Sequence, residues 1–555
     1  MKGDTYMIRL FETHRIRQVK ELDGIWDFKA QGHAYKMPVP ACWEQHPDLL
    51  NYRGKGTYTK KVYITHPGNV RLEFKGVSHT ADVYFDGEKI AHHYNAFTPF
   101  SAVARNAEKG VHEIKVEADN TFGEHSALHI PNDYYTYGGI TRPVSFEIIP
   151  DVYIKNVHFT PYRRGERWSA KIETVICNMS DTEKNVEIKT ELAGKETLNA
   201  ISVPSGSEIM SEAVQEFDDI KPWSPNEPNL YMLNTVLSIS GEDTDDLIER
   251  VGFRIVEVKN SKMYINGEEI YMKGFNRHED YASDGCAVTL QHMVHDMDLM
   301  QDMGANAVRT CHYPNDERFI DLCDERGILV WEENHARGLS IENMQNPNFE
   351  RQCEDCIWEM IENHYNHPSI IIWGILNECA SETEEGRRMY KKQYEQIKSM
   401  DATRPTTSAT CRHFTDICLD LPDVVSFNLY SNWYEDCPID ERKNREIEWI
   451  RNSGGKNKPI IVSEVGAGAV YGYRDRSRCK WSEERQADII RDNLEVYMSD
   501  ENIIGVFIWQ FADCRITEEG GWFAQRAKCH NNKGVVDEFR RPKIAYDTVK
   551  ELFGE

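Results

Sequence analysis

The sequence predicts a multidomain protein in which an antiparallel β-sandwich and an immunoglobulin-like β-sandwich precede a C-terminal (β/α)8 barrel that carries the active site. Up to about residue 257, short segments alternate apolar and polar residues. After "RVGFRIVEV", apolar strand-like runs alternate with amphipathic helical stretches. The 555 residues suffice for three or four domains of about 150 residues each. The predicted domains are 1–150, 151–257 and 258–555.

The two sandwiches are predicted from segments with a period of two. "GTYTKKVYI", "VRLEFKG", "TADVYFDGEKI" and "HEIKVEADN" alternate apolar and polar residues, and the "DG" of the third is a hairpin signal. This pattern is typical of an antiparallel sandwich. "DVYIKNVHFT", "WSAKIETVICN" and "KNVEIKTEL" continue the alternation over about 100 residues, a length that suits an immunoglobulin-like sandwich.

The barrel is predicted from eight apolar runs separated by helical stretches. The runs are "IYMKGFN", "NAVRT", "ILVWEEN", "IIIWGILNE", "TTSAT", "VVSFNLY", "PIIVSE" and "IIGVFIWQF". Strands buried on both faces and joined by helices are typical of a parallel barrel. A methionine-rich stripe between the first two runs has helical spacing and indicates core packing.

Composition excludes several classes of function. A formal net charge of −26 and a pI near 5.3 disfavour nucleic-acid binding, which requires a basic surface. An anionic small ligand must therefore be bound by a local cationic site. No run of 18 apolar residues and no signal-peptide core is present, so we predict a cytoplasmic protein without membrane association. The fourteen cysteines lack framework spacing and are predicted to be reduced, buried thiols.

Polar residues at the ends of the predicted barrel strands indicate the chemistry, because barrel active sites form at the carboxyl ends of the strands. Glu378 ends the fourth run and Glu464 ends the seventh. A structural ion pair with Arg309 or Arg277 is the alternative, since a buried charge requires a partner. Two such carboxylates among aromatic residues fit glycosidic bond cleavage. One protonates the leaving oxygen, and the other attacks the anomeric carbon or activates water.

Histidines near the strand ends also raise the alternative of a metal site. His278, His312 and His335, together with Glu279 and Asp280, offer metal-binding side chains. "NRHED" lacks the HxH spacing that metal-dependent barrel hydrolases place after the first strand. We expect the histidines to bond a polyol or orient carboxylates, and we predict neither a metal nor another cofactor.

Four motifs then resemble a known family. "MKGFNRHED", "GANAVRTCHYP", "WGILNE" and "PIIVSE" resemble, in order and placement, those of glycoside hydrolase family 2, which includes β-galactosidases and β-glucuronidases. The resemblance covers essentially the whole chain and implies that the first sandwich is a jelly roll. It also implies a retaining mechanism with Glu378 as acid/base and Glu464 as nucleophile, their carboxyl groups about 5–5.5 Å apart. Glu378 is expected to be the more enclosed of the two and to hold its proton.

The resemblance also implies roles for the neighbouring residues. Asn377 would bond the 2-hydroxyl, Tyr430 and Arg309 would orient and ionise Glu464, and Trp509 would lie under the apolar face of the sugar. The predicted substrate-binding residues are Asn377, Asn531, Lys533, Asp133, Tyr430, Tyr434, Trp509, Arg309, His278, His312 and Arg337.

The segment "HNNKGVV" bears on the charge of the substrate. Asn531 and Lys533 resemble the Asn-x-Lys element with which the uronidases of the family hold the C6 carboxylate. An ammonium group forms a charge-assisted bond to a carboxylate, whereas a neutral sugar leaves a buried lysine unpaired. "NDYYTYGGITRPV" resembles the loop that reaches the 4-hydroxyl in β-glucuronidases, which makes Asp133 a binding residue and Tyr434 a second contact. The alternatives are a solvated loop lysine at 533 and a turn-capping aspartate at 133.

Arg337 has no counterpart in the glucuronidase pattern, although it follows the third predicted strand. Glucuronate and galacturonate differ only at the 4-hydroxyl, and one rigid donor is enough to discriminate between them. The enzyme is therefore expected to be a β-glucuronidase or a β-galacturonidase. Alternatively, Arg337 is a surface side chain or a partner of Glu332 or Glu333.

Together these features predict a retaining exo-β-uronidase that releases a terminal β-D-hexuronide through a covalent glycosyl-enzyme intermediate. The alternatives are a neutral-sugar β-galactosidase of the same family and a non-catalytic carbohydrate-binding protein. The chain is expected to form a homo-oligomer. The loop after the third strand, "HARGLSIENMQNPNFERQ", is short, which predicts an open mouth or one completed by a neighbouring subunit.

Overall fold

The computed structural model describes residues 8–518, 521 and 526–554. Two antiparallel sandwiches precede a parallel barrel surrounded by helices, which confirms the predicted fold class. The predicted positions of the domain boundaries stay predictions.

The first sandwich packs a four-stranded sheet against a six-stranded one. Its core includes Trp26, Phe28, Tyr58 and Leu72, the inward residues of the alternating segments. The predicted "DG" hairpin is present, with Asp86 and its glycine both at positive φ. In sheet order the strands are Gln18–Glu21, Val144–Ile149, Gly68–Phe74 and Phe100–Ala107, then His33–Val39, Gly24–Ala30, Lys55–Ile64, Gly110–Asp119, Thr80–Phe85 and Glu88–Tyr94, with a small pair Gly139–Ile140 and Val77–Ser78.

The second sandwich consists of a three-stranded and a four-stranded antiparallel sheet. Trp168, Phe217 and Phe253 lie in its core. The strands are Val152–Arg164, Arg167–Asn178 and Glu208–Phe217, then Lys195–Val203, Lys184–Leu192, Tyr231–Ile239 and Glu242–Val251. A small antiparallel sheet of Val256–Lys259, Lys262–Ile265 and Glu268–Glu269 precedes the barrel.

The barrel strands follow the predicted runs, except that the fifth is divided. The parallel sheet has nine strands, and the two at its ends, Thr406–Thr407 and Ala409–Thr410, are separated in sequence by Ser408 alone. The sheet therefore closes on itself at the position of one interrupted strand. The other strands are Met272–Asn276, Ala307–Thr310, Leu329–Glu333, Ile370–Gly374, Val425–Asn428, Ile460–Val465 and Ile503–Ile508. The strands Cys514–Arg515 and His530–Asn531 form a hairpin after the last of them.

The helices pack against the outer face of the barrel. They are α1 Leu290–Asp302, α2 Glu317–Arg326, α3 Ile341–Met344, α4 Phe349–His364, α5 Glu384–Met400, α6 Ile439–Asn452, α7 Glu483–Met498 and α8 Ile544–Gly554, with short 3-10 turns at Trp43–Gln45, Pro47–Leu49 and Ala527–Cys529. The predicted methionine stripe on α1 is buried in the core at Met293, Met297 and Met300. Thr289 caps the start of α1 by accepting a bond from the backbone of His292.

All fourteen cysteines are free thiols, as predicted, but only eight of them are buried; five are partly exposed and Cys529 is exposed. Cys353 and Cys356, the CxxC pair, lie in the core on α4. Among the helices of the described residues, none is both long and apolar enough to cross a bilayer.

A loop of the first sandwich reaches the mouth of the barrel. The hydroxyl of Tyr137 donates to Asp280 at 2.8 Å, and Arg142 donates to Glu279 at 2.6 Å. These bonds fix the segment that contains Asp133 against the ends of the barrel strands. Glu279 and Asp280, which the sequence offered as possible metal ligands, thus hold the first sandwich in place.

Candidate active site

Glu464 is buried at the end of the seventh barrel strand, with 3% of its surface exposed. Arg309 donates to its Oε1 at 3.1 Å, and the hydroxyl of Tyr430 donates to its Oε2 at 2.6 Å. Burial and the charge of Glu378 raise the pKa of Glu464 to about 7, although Arg309, Tyr430 and Arg337 oppose this rise. The carboxylate is therefore fixed in orientation and titrates near neutral pH.

Arg309 connects several parts of the site. Its guanidinium donates to both oxygens of Glu333 at 2.9 Å and to Oδ1 of Asn377 at 2.9 Å. Because Oδ1 of Asn377 is occupied in this way, its Nδ2 is left as a donor with no partner among the described residues. The orientation of the asparagine amide thus follows from the arginine that also holds Glu464.

Glu378 lies four residues beyond the fourth barrel strand, in the left-handed region with φ of 53°. Its Oε1 accepts from Asn428 at 2.8 Å, and its Oε2 lies 3.3 Å from Arg337. Its side chain is 16% exposed, against 4% for that of Glu464. The prediction that Glu378 is the more enclosed carboxylate is therefore wrong. Glu464 belongs to a strand, whereas Glu378 follows one and faces the mouth.

Both glutamates line one cavity of about 460 Å³. The predicted residues that line it are Asp133, Arg337, Glu378, Tyr430, Tyr434, Glu464, Trp509 and Lys533. The remaining predicted residues are buried around it, namely Asn377, Asn531, Arg309, His278 and His312. The fold thus gathers all thirteen predicted site residues in one region.

The cavity has a cationic wall. Lys533 is 1% exposed and donates to the hydroxyl of Tyr434 at 2.6 Å, so it is not a solvated loop lysine. Burial and the charge of Arg526 lower the pKa of Lys533, although Tyr434 and Asp133 raise it. Two cations, at 526 and 533, therefore lie close together in a strongly acidic protein.

Asp133 joins the first sandwich to this wall. Arg526 donates to its Oδ2 at 2.6 Å, and Nδ2 of Asn531 donates to the same oxygen at 3.0 Å. Burial raises the pKa of Asp133, but Arg337, Arg526 and Lys533 outweigh it and lower the pKa to about 2. A buried, ionised aspartate with cationic partners is not a surface turn cap.

The loop that contains Lys533 is bonded to a buried ion pair between Asp513 and Lys543. Oδ1 of Asp513 accepts from the backbone of Gly534 at 2.8 Å and from Lys543 at 2.8 Å. A Cβ at Gly534 would lie 2.2 Å from the backbone nitrogen of Asp513, so only glycine fits there. The position of Lys533 therefore depends on the glycine that follows it.

Arg337 spans the cavity between the first sandwich and Glu378. It lies 3.4 Å from Asp133 and 3.3 Å from Glu378, and it donates to Oδ1 of Asn132 at 2.8 Å. The alternative partners proposed from the sequence are wrong, since Glu332 pairs with His364 and Glu333 with Arg309.

Trp509 and two histidines form an aromatic wall. The ring of His312 stacks on Trp509 at 5.0 Å, and His278 meets the same indole edge-on at 5.4 Å. Burial lowers the pKa of His278 to about 3, and burial together with the charge of Arg309 holds the pKa of His312 well below its usual value. Both rings are therefore neutral at physiological pH.

Several buried polar atoms of the site have no hydrogen-bond partner in the described protein. Such atoms are uncommon in folded proteins, and around a cavity they fit a ligand rich in hydroxyl groups. They are Nε2 of His278, Nε2 of His312, Nδ2 of Asn377 and Oδ1 of Asn531.

The site also contains a group with metal-binding side chains. Among the described residues, His278, Cys311 and His312 place one ligand atom each within 4.8 Å of one another. Burial raises the pKa of Cys311 well above its usual value, so this thiol is protonated at neutral pH in the metal-free protein. His335 lies outside this group and contacts the hydroxyl of Tyr134 at 3.2 Å.

Comparison with known families agrees with the geometry. The model "Glycosyl hydrolases family 2, TIM barrel domain" matches residues 256–555, and the model "Glycosyl hydrolases family 2" matches residues 152–254. The chain belongs to glycoside hydrolase family 2. It is therefore a glycoside hydrolase, as the sequence predicted.

Relatives within family 2 match the whole chain. A β-galacturonidase from Eisenbergiella tayi, solved with galacturonate, is 48% identical, with a TM-score of 0.95 over 99% of both chains. A β-D-glucuronidase structure from Dictyoglomus thermophilum is 27% identical, with a TM-score of 0.85 over 97% of both chains. A β-glucuronidase from Paenibacillus borealis is also 27% identical, over 97% of each chain.

Several residues of this family 2 site were not predicted as site residues from the sequence, and four of them are charged or amide side chains close to the glutamates or in the cavity wall. Asn428 ends the sixth barrel strand, and its position was the available signal for a role. Glu333 likewise ends the third strand, where it pairs with Arg309. Arg526 and Arg412 lie in loops, and only the folded structure shows that they line the cavity.

Proposed function

We propose that the protein is a retaining exo-β-uronidase that hydrolyses terminal β-D-hexuronides and prefers galacturonides. The observation that carries the proposal is that Lys533 and Arg526 line the same cavity as Glu378 and Glu464. A terminal uronate places its carboxylate against this cationic wall while its anomeric carbon faces the two glutamates. A neutral sugar would leave the buried ammonium of Lys533 without a charged partner.

In the proposed mechanism, Glu464 attacks the anomeric carbon and Glu378 protonates the glycosidic oxygen as that bond breaks. The product of this step is a glycosyl ester on Glu464. Glu378 then takes a proton from water, which attacks the anomeric carbon, displaces the carboxylate of Glu464 and releases the uronate with retained configuration. The productive form has one proton between the two carboxyl groups, located on Glu378, with Glu464 ionised.

The surrounding side chains support this assignment. Arg309 and Tyr430 hold both oxygens of Glu464, which fixes the nucleophile for attack. Nδ2 of Asn377 has no partner among the described residues, which supports its proposed bond to the 2-hydroxyl, an interaction that strengthens in the transition state. Trp509 lines the cavity, and in the proposed complex it packs against the apolar side of the sugar ring.

The preference for galacturonides rests on similarity and on Arg337. The solved relative with 48% identity over 99% of both chains is a β-galacturonidase bound to galacturonate. In this chain Arg337 lies within 3.4 Å of Asp133, the residue proposed to contact the 4-hydroxyl. The two epimers differ at that hydroxyl alone, so a rigid guanidinium there favours one of them.

The test is kcat/KM on the p-nitrophenyl β-galacturonide, β-glucuronide and β-galactoside, for the wild type, Lys533→Met and the exposed control Lys550→Met. We expect the galacturonide to lead, and Lys533→Met to reduce its advantage over the galactoside about 10- to 100-fold, the range of a charged hydrogen bond. A leading galactoside, unaffected by Lys533→Met, would refute the uronidase proposal. Turnover of none of the three would favour a non-catalytic binding protein.

The covalent step is tested separately. Incubation with a 2-fluoro β-uronide that carries a good leaving group should add the mass of one 2-fluoro-uronosyl group to the peptide that contains Glu464. Modification of a peptide that lacks Glu464 would contradict its assignment as the nucleophile, and hydrolysis to the α-anomer would contradict the retaining mechanism.

A further inference from the structure

Arg412 adjoins the proposed acid and has no part in the mechanism above. It follows the fifth barrel strand, and its side chain lines the same cavity as Glu378. Its Nε lies 3.4 Å from the carbonyl oxygen of Cys379, the residue directly after Glu378. The guanidinium is thus held beside the acid, and one third of its side chain is exposed to solvent.

The role of Glu378 determines what this side of the cavity receives. A general acid protonates the oxygen between the sugar and the leaving group, so the leaving group lies next to the acid. The uronate ring is assigned to the wall formed by Lys533, Asn531 and Trp509. Arg412 therefore faces the space of the departing group.

The acidic side chains of this rim are already engaged. Glu382 contacts Nε of Arg412 at 3.2 Å, but both side chains are about one-third exposed, and such pairs are weak. Glu435 pairs with Arg442 at 2.8 Å. Glu446 is buried and contacts Arg442 and His413. Arg412 can therefore accept an anionic partner from solvent without displacing a strong ion pair.

Two positions after Arg412, the partly exposed ring of Phe414 lies among aromatic and basic side chains. Phe414 is 42% exposed, and the guanidinium groups of Arg442 and Arg445 both lie 5.1 Å from the centre of its ring. Trp449 meets Phe414 edge-on at 5.6 Å. In a chain of net charge −26, such a rim suits an extended anionic leaving group with a ring that stacks.

We propose that Arg412 forms a subsite for a carboxylate on the sugar next to the scissile bond. The substrates are then acidic oligosaccharides in which the terminal uronate is linked to a second uronate. This inference rests on the proposed function and specifies the leaving group, which that function leaves open.

The test uses two disaccharides that share a terminal β-uronate and differ only at C6 of the leaving sugar. One carries a carboxylate there and the other a hydroxymethyl group. We expect the wild type to prefer the carboxylated disaccharide at least tenfold in kcat/KM, because a charge-assisted bond is available to it alone. The preference should decrease as NaCl rises from about 20 mM to 0.5 M, because the pair is partly exposed to solvent.

Variants then test whether Arg412 causes this preference for the carboxylated disaccharide. Arg412→Gln should bring the ratio of the two kcat/KM values close to one, and Arg412→Lys should restore part of it. The control is Arg388→Gln on α5, which breaks an exposed ion pair with Glu350 on α4 and should leave the ratio at the wild-type value. If Arg412→Gln lowers both substrates equally and leaves the ratio intact, Arg412 only supports the backbone near Glu378 and the subsite is refuted.

The wild-type ratio tests the inference even if a variant fails to fold. A ratio near one refutes the subsite while leaving the uronidase proposal intact, provided that the p-nitrophenyl uronide is hydrolysed. Failure to hydrolyse that simple uronide counts instead against the proposed function.

Discussion

Replacing Glu464 by glutamine should stabilise the protein above neutral pH and have much less effect in mild acid. Burial and the charge of Glu378 raise the pKa of Glu464 to about 7, from an ordinary value of 4.5. At ~1.4 kcal/mol per pH unit, ionised Glu464 therefore lowers the free energy of unfolding by about 3 kcal/mol. Glutamine keeps the shape of the side chain and cannot ionise.

The sign follows from proton binding. Below about pH 4.5 the carboxyl group is protonated in both states, and above about pH 7 it is ionised in both. Between these values the folded protein keeps the proton and the unfolded chain releases it, so stability decreases as pH rises. The stability contributed by protonated Glu464 is thus lost between about pH 4.5 and pH 7.

Differential scanning calorimetry of the two proteins at about pH 5 and about pH 8 measures this effect. Unfolding entropy is about 2.1 cal/mol/K per residue, so for the roughly 300 residues of the barrel region 1 kcal/mol corresponds to about 1.6 °C. About 2.5 kcal/mol of the effect falls in this pH interval, so the Tm of Glu464→Gln relative to wild type should rise by about 4 °C. A Tm difference independent of pH, or one that falls with pH, would refute the reasoning. The exposed Glu268→Gln is the control.

Three further outcomes are expected. Glu378→Gln is assayed with a dinitrophenyl uronide, whose leaving group needs no acid catalyst. The acid limb of its kcat/KM profile should move from near pH 7 to lower pH, since the charge of Glu378 raises the pKa of Glu464. An unmoved limb would contradict this. Tyr430→Phe removes a 2.6 Å bond that lowers the same pKa, so the limb should move to higher pH and kcat/KM fall about 10- to 100-fold. Lys543→Met removes the cation that pairs with the buried Asp513 and should lower the free energy of unfolding, measured by calorimetry, by about 3 kcal/mol. The KM for uronides should rise because the loop that contains Lys533 loses its support. An unchanged Tm would count against the buried pair.

The sequence predicts the fold and the two carboxylates because both follow from periodicity. Apolar runs define the barrel strands, and a polar residue just after such a run must lie at the carboxyl edge of the sheet. Glu378, Glu464 and Asn377 are located in this way. Lys533 is predicted from a short local motif, Asn-x-Lys, which becomes specific only because it follows the last barrel strand.

The features that the sequence did not reveal depend on contacts between distant segments. Arg526 becomes part of the site through Asp133, which lies 393 positions earlier in the chain. The fifth barrel strand is interrupted at Ser408, but "TTSAT" contains no glycine, proline or other residue that signals a break in a strand. The relative burial of the two glutamates depends on which loops cover the mouth of the barrel, and strand patterns do not record that.

The left-handed backbone of Glu378 also bears on how this protein family can evolve. A glutamate at φ of 53° is held against its own conformational preference, a strain on the order of 1 kcal/mol that glycine or asparagine would relieve. Under the proposed mechanism, selection for turnover must therefore act continuously to keep an acid at position 378. Lineages that come to use this scaffold for binding alone should drift toward glycine or asparagine there, and that single position would mark the loss of catalysis in their sequences.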